Sequence, residues 1–99
     1  MSEFQGLLHA GVVPIHTIVT ELGEGARRGE ITNYNRFEYL VRIAREKVTT
    51  NQIRQIRQIC KKVDSNKSLI PSIRLEYLKI LVWCDGQEQR LQELEQGSG

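Results

Sequence analysis

The sequence predicts an all-α fold, a small bundle of about four to five helices forming one domain across residues 1–99. Three observations carry that prediction. Apolar residues recur at helical spacing, and no period-two alternation is long enough for a sheet. Threonine and proline stand where helices begin. At 39% hydrophobic and 26% charged residues, with no low-complexity stretch or repeat, the composition is that of a globular chain. With aromatics at only 6%, the expected core is thin, and partners are expected to contribute to stability.

Residues 1–30 make the least defined part. Pro14 in a first-turn position opens a helix over Ile15–Leu22, Gly23 and Gly25 close it, and Gly25–Glu30 is a charged loop. Thr32 then caps a second helix over Asn33–Lys47. Phe37, Leu40, Val41, Ile43 and Ala44 share one face of it, and Glu38 pairs with Arg42 at i, i+4. The third helix starts at Thr49-Thr50-Asn51-Gln52, a capping-box pattern in which Thr49 accepts from the first turn and Gln52 reaches back. Its apolar stripe is Ile53, Ile56, Ile59, Cys60 and Val63, ended by the turn formers Asp64-Ser65-Asn66. Pro71 opens a fourth helix to about Cys84, resuming after Gly86 as Gln87–Gln96. It is apolar nearly all round, which places it in the middle of the bundle. Gly97-Ser98-Gly99 reads as a linker.

Several function classes find no support. Phe4–Thr20 carries no charge, but it is short, contains Pro14, Gly11 and two histidines, and lacks a basic flank. It therefore predicts neither a membrane span nor a signal peptide, and a soluble cytoplasmic protein is expected. Cys60 and Cys84 sit on apolar faces with no CxxC or Cys/His cluster, as expected of reduced core residues. There is no phosphate loop, GxSxG or HExxH motif, and His9 and His16 lack an acidic neighbour. Glu88, Glu93 and Glu95 read as a solvated face. The expectation is a protein that is not an enzyme and binds no metal or cofactor.

Binding is what remains. Arg27–Lys79 holds thirteen Lys/Arg against five Asp/Glu, a balance of +8, whereas Met1–Ala26 and Ile80–Gly99 each come to −3. The third helix has Arg54, Arg57 and Lys61 opposite its apolar stripe, with Lys62 beside them and no acid between Lys47 and Val63. Spacing of i, i+3, i+7 makes a row about 10 Å long at the helical rise. Arg42, Arg45 and Lys47 precede it; Lys67, Arg74 and Lys79 follow. Rows of this kind meet successive backbone phosphates without reading bases, and the shortage of nearby aromatics argues against stacking. The competing reading is an ordinary solvated helix face.

Two segments also carry a family resemblance. Thr49-Thr50-Asn51-Gln52-Ile53-Arg54 resembles the "TTsqlR" start of a helix in the small subunit of type III-A CRISPR effector (Csm) complexes. Leu75-Glu76-Tyr77-Leu78-Lys79-Ile80, running on to Cys84-Asp85-Gly86-Gln87, is similar to that family's later "LeYLki…yeaGr" helix. The resemblance covers about Phe37 to Gln87, roughly half the chain, with Arg54 and Lys79 in the matching basic positions. Residues 1–28 have no counterpart in it. It implies a helical, non-catalytic subunit present in several copies, stacked as a filament beside other effector-complex subunits and contacting the backbones of guide RNA and target RNA. From the residues alone two other classes stay open: a helix-turn-helix DNA-binding regulator reading bases from Thr49–Lys62, and a helical adaptor that binds only protein.

Overall fold

A computed structural model describes residues 12–97 of the chain. Among them are four helices and no strand: α1 (Ile15–Arg28), α2 (Tyr34–Ile43), α3 (Thr50–Ser65) and α4 (Pro71–Gly97). The predicted all-α bundle is therefore present. Of the sequence-level readings, His9 and the linker residues Ser98 and Gly99 lie outside the described part, as do residues 4–11 of the uncharged stretch.

α1 runs past both glycines expected to end it. Gly23 and Gly25 lie inside the helix, and the stop comes at Gly29, whose φ of 71° is the left-handed conformation glycine adopts without a Cβ penalty. Gly29 N–H donates to Ala26 O and Glu30 N–H to Gly25 O, which satisfies the last carbonyls in a Schellman arrangement. The expected charged loop thus belongs to the last turns of α1. A Cβ at Gly25 would lie 3.7 Å from the Tyr77 hydroxyl and 3.8 Å from Thr32 Oγ1, so this glycine brings α1 close to α4 and the α1–α2 connection.

α2 begins one residue later than expected and ends four residues earlier. Asn33, not Thr32, is the cap, its side chain accepting from Arg36 N–H. Thr32 is buried, its hydroxyl donating to Tyr77 Oη at 2.8 Å, while the Tyr77 hydroxyl donates to Glu30 O at 3.4 Å. A threonine with a buried phenol within reach is worth more there than as a cap. At the other end Ala44 turns extended, so Arg45 and Lys47 belong to the α2–α3 connection. The Glu38–Arg42 pair forms as its spacing predicts.

α3 keeps its predicted start. Thr49 Oγ1 accepts from Gln52 N–H at 3.1 Å and Gln52 Oε1 accepts from Thr49 N–H at 2.9 Å, completing the capping box. α4 is one continuous helix through Gly86, where a single glycine costs about 1 kcal/mol relative to alanine and does not interrupt it.

The helices form a ring in which each packs on two others: α3 on α4 most extensively, α1 on α3, α2 on α4, and α1 on α2. With extents of 46 × 31 × 18 Å, the shortest dimension is two helix layers deep. Ile15, Ile18 and Leu22 meet Ile53, Ile56, Cys60 and Val63, with Phe37 and Leu40 closing the other side. α4 contributes Ile73, Tyr77, Ile80 and Cys84, one stripe at helical spacing. The sequence places α4 in the middle of the bundle, but it packs on two helices only. A helix with two neighbours leaves its outer face in water, and Leu75 and Val82 are 52% and 71% exposed. No helix among the described residues is long and apolar enough to cross a membrane.

Candidate nucleic-acid interface

The ten basic residues singled out in the sequence divide into two groups once the helices are assembled. Arg42, Arg57, Arg74 and Lys79 are already engaged within the molecule. Arg45, Lys47, Arg54, Lys61, Lys62 and Lys67 are exposed and hold no ion pair among the described residues.

Arg57 shows why the acid-free run of α3 was misleading. Its backbone position faces α4, where the acidic C-terminal part of the sequence returns antiparallel to α3. Nη1 lies 2.5 Å from Asp85 Oδ1, and Nη2 lies 2.8 Å from Glu88 Oε1. The hydrogen bonds to Asp85 and then Glu88 push the guanidinium pKa above its usual value. With its side chain only 21% exposed, Arg57 is an interhelical clamp and is withdrawn from the expected row. Arg74 donates from Nη2 to Asp64 O at 3.2 Å and stands 3.5 Å from Asp64 Oδ1, tying α4 to the end of α3. Its Nε is buried without a hydrogen-bond partner. Lys79 pairs with Glu76 one turn earlier at 3.0 Å.

What is left on α3 is Arg54, Lys61 and Lys62 on the solvent side of a helix fixed by its capping box and buried stripe. Arg54 and Lys61 are two turns apart, about 10 Å along the axis. Arg54 borders a shallow cleft with Thr50, Glu88, Leu91 and Glu95, so its surroundings are mixed in charge. Lys62 looks the other way, toward α1, beside Ile59 and Gly23. Arg45 and Lys47 extend the cationic surface from the N-terminal end of α3.

Cys60 and Cys84 are free and buried, as expected of core thiols, and burial pushes both upward, Cys84 to about 12. Among the described residues no group of three or more His, Cys, Asp and Glu side chains is placed to hold a metal ion.

One basic residue went unnoticed in the sequence. Arg90 of α4 is exposed and sits with Arg45 and Lys47 around one groove. Its place seven residues after Trp83 and three after Gln87 is the signal the sequence offers, but the acidic composition of Ile80–Gly99 conceals it.

No family profile, curated protein or solved structure matches this chain.

Proposed function

We propose that this chain is a non-catalytic small subunit of a type III-A CRISPR ribonucleoprotein. In this reading it holds the backbones of guide and target RNA with Arg54, Lys61 and Lys62, beside other effector subunits and further copies of itself. The observation that carries it is the contrast within α3. Arg57 is spent on Asp85 and Glu88, while its three basic neighbours stay exposed and unpaired on a rigid scaffold. Exposed cations without protein partners suit phosphate contact. The capping box and the α4 segment are also the places where the sequence resembles that family. Exposed Leu75 and Val82, on the outer face of α4, suit a neighbouring protein surface within an assembly.

The helix-turn-helix alternative loses support. Such a unit needs its two helices packed together, whereas α2 and α3 make no packing contact.

Binding of the full chain to single-stranded RNA of unrelated sequences, followed against salt, tests the proposal. Affinity should be independent of sequence. Its log–log salt slope should be about −2, from three phosphates at roughly 0.7 each. Combined Arg54→Glu, Lys61→Glu and Lys62→Glu should flatten that slope and weaken binding at least tenfold (about 1.4 kcal/mol) with helicity unchanged. Equal binding by the triple variant and the parent chain would sink it.

A further inference from the structure

The groove between the end of α2, the α2–α3 connection and the second half of α4 combines features that the α3 face lacks. It encloses about 440 Å³, within the range of small-molecule sites. Its floor is apolar, with Val41, Val48, Trp83 and Leu91 all partly buried. Trp83 is held edge-to-face on Phe37, ring centroids 5.0 Å apart at 88°, so the indole is fixed before anything binds.

Four exposed cations surround that floor: Arg42, which is paired with Glu38, and Arg45, Lys47 and Arg90, which hold no ion pair among the described residues. The two carboxylates in the same groove are both occupied. Glu38 is bound by Arg42, and Glu46 Oε1 accepts the N–H of Ile15 at 2.6 Å. A fixed aromatic ring among unpaired cations suits a ligand that joins a flat apolar body to an anionic group.

The groove also adjoins the candidate phosphate face: Leu91 lines both it and the cleft that contains Thr50, Arg54, Glu88 and Glu95.

From these observations we infer that the groove seats a nucleobase. One base of a single strand rests against Trp83, with the adjoining phosphate held by Arg45, Lys47 and Arg90. This inference rests on the phosphate-binding reading of α3 and adds a second mode of contact to it. An acidic amphipathic peptide is the ligand of a different class that the same surface must be tested against. The nucleobase is favoured because the groove adjoins the cleft that holds Arg54.

Trp83 is the chain's one tryptophan, so its emission reports on the groove directly. The full chain is titrated at low salt with three probes: an oligoadenylate of about ten nucleotides, an abasic phosphodiester of equal length, and a Glu/Leu amphipathic peptide. The expected result is quenching of Trp83 by oligoadenylate, with affinity about tenfold above that for the abasic strand, which leaves the emission unchanged. Arg90→Gln, an exposed substitution, should reduce oligoadenylate affinity about threefold, the loss of one phosphate contact at the groove. Equal affinity for the two strands with unaltered emission would overturn the base seat while leaving the α3 phosphate reading standing. A response to the peptide and none to oligoadenylate would overturn it in favour of a protein ligand. Failure of both strands to bind would overturn it together with the α3 reading.

Discussion

Arg57 and Glu88 meet across the α3–α4 interface, with Nη2 2.8 Å and Nε 3.1 Å from the same carboxylate oxygen. Two donors on one acceptor, beside a second contact to Asp85, fix the register of the two most extensively packed helices. The Arg57 side chain is 21% exposed and that of Glu88 33%, so water screens the pair only in part. Arg57→Gln should lower the unfolding free energy by about 1 kcal/mol in urea, and a double-mutant cycle with Glu88→Gln should return a coupling of about 0.5–1 kcal/mol. Arg54→Gln and Lys61→Gln, which break no ion pair, should stay within about 0.5 kcal/mol of the parent. Equal stability losses at Arg54 and Arg57 would remove the distinction on which the interface assignment depends.

Two glycines make opposite predictions. A Cβ at Gly86 meets nothing within 4 Å, and the residue lies in the interior of a continuous helix. Gly86→Ala should therefore stabilise the fold by about 1 kcal/mol, raising the melting temperature by several degrees. Gly29 has φ 71°, and an added Cβ would lie 3.3 Å from Leu69 Cδ2. Gly29→Ala should lower stability by about 1–2 kcal/mol. Thermal melts followed by circular dichroism compare them, and destabilisation by Gly86→Ala would mean that α4 bends or packs at that residue.

These glycines also mark what was legible in the sequence. Helical class, the Thr49 capping box and the core positions of α3 follow from local chemistry and periodicity, which operate within a few residues. Gly23, Gly25 and Gly86 read as breakers because propensity is local, whereas packing against α2 and α3 keeps α1 helical through its glycines. Thr32 read as a cap because its partner, Tyr77, is 45 residues away. The basic row suffered from the same blindness. The absence of acids between Lys47 and Val63 is a fact about one segment, while Asp85 and Glu88 arrive from another. Periodicity relates Trp83 to Arg90, seven residues on, but the arrival of Arg45 and Lys47 beside them is a product of helix order and lies beyond it.

Thiol chemistry gives a measure of how firmly the core is closed. Cys60 and Cys84 face each other's helices, both fully buried, and desolvation holds both as thiols well above neutral pH. Native protein at pH 8 should react with a disulfide exchange reagent far more slowly than a free cysteine, and two thiols should become available together in denaturant. The native labelling rate should follow the opening equilibrium, so Gly86→Ala should slow it and Arg57→Gln should accelerate it. Rapid labelling of one thiol in the native state would show that α3 and α4 separate locally at that level.

Glu76 links helix capping to acid stability. Its Oε1 accepts the N–H of Tyr34, the first residue of α2, at 2.9 Å, and its Oε2 receives Lys79 Nζ at 3.0 Å. The hydrogen bond from Tyr34 chiefly, then Lys79, lowers the Glu76 pKa below its usual value against the opposing effect of burial. A carboxylate with a depressed folded-state pKa contributes stability that is complete above the ordinary value, about 4.3. Below that pH the unfolded chain takes up the proton first, and the contribution declines until pH falls beneath the folded-state pKa. Glu76→Gln keeps an acceptor for Tyr34 N–H and removes only the charge. The parent chain should therefore be more stable than Glu76→Gln at pH 7, and the gap should narrow as pH falls below about 4.3. Chemical denaturation from pH 3 to 7 measures both curves. Parallel curves would assign the role of Glu76 to hydrogen bonding alone, with its ionisation contributing nothing to holding α2 on α4.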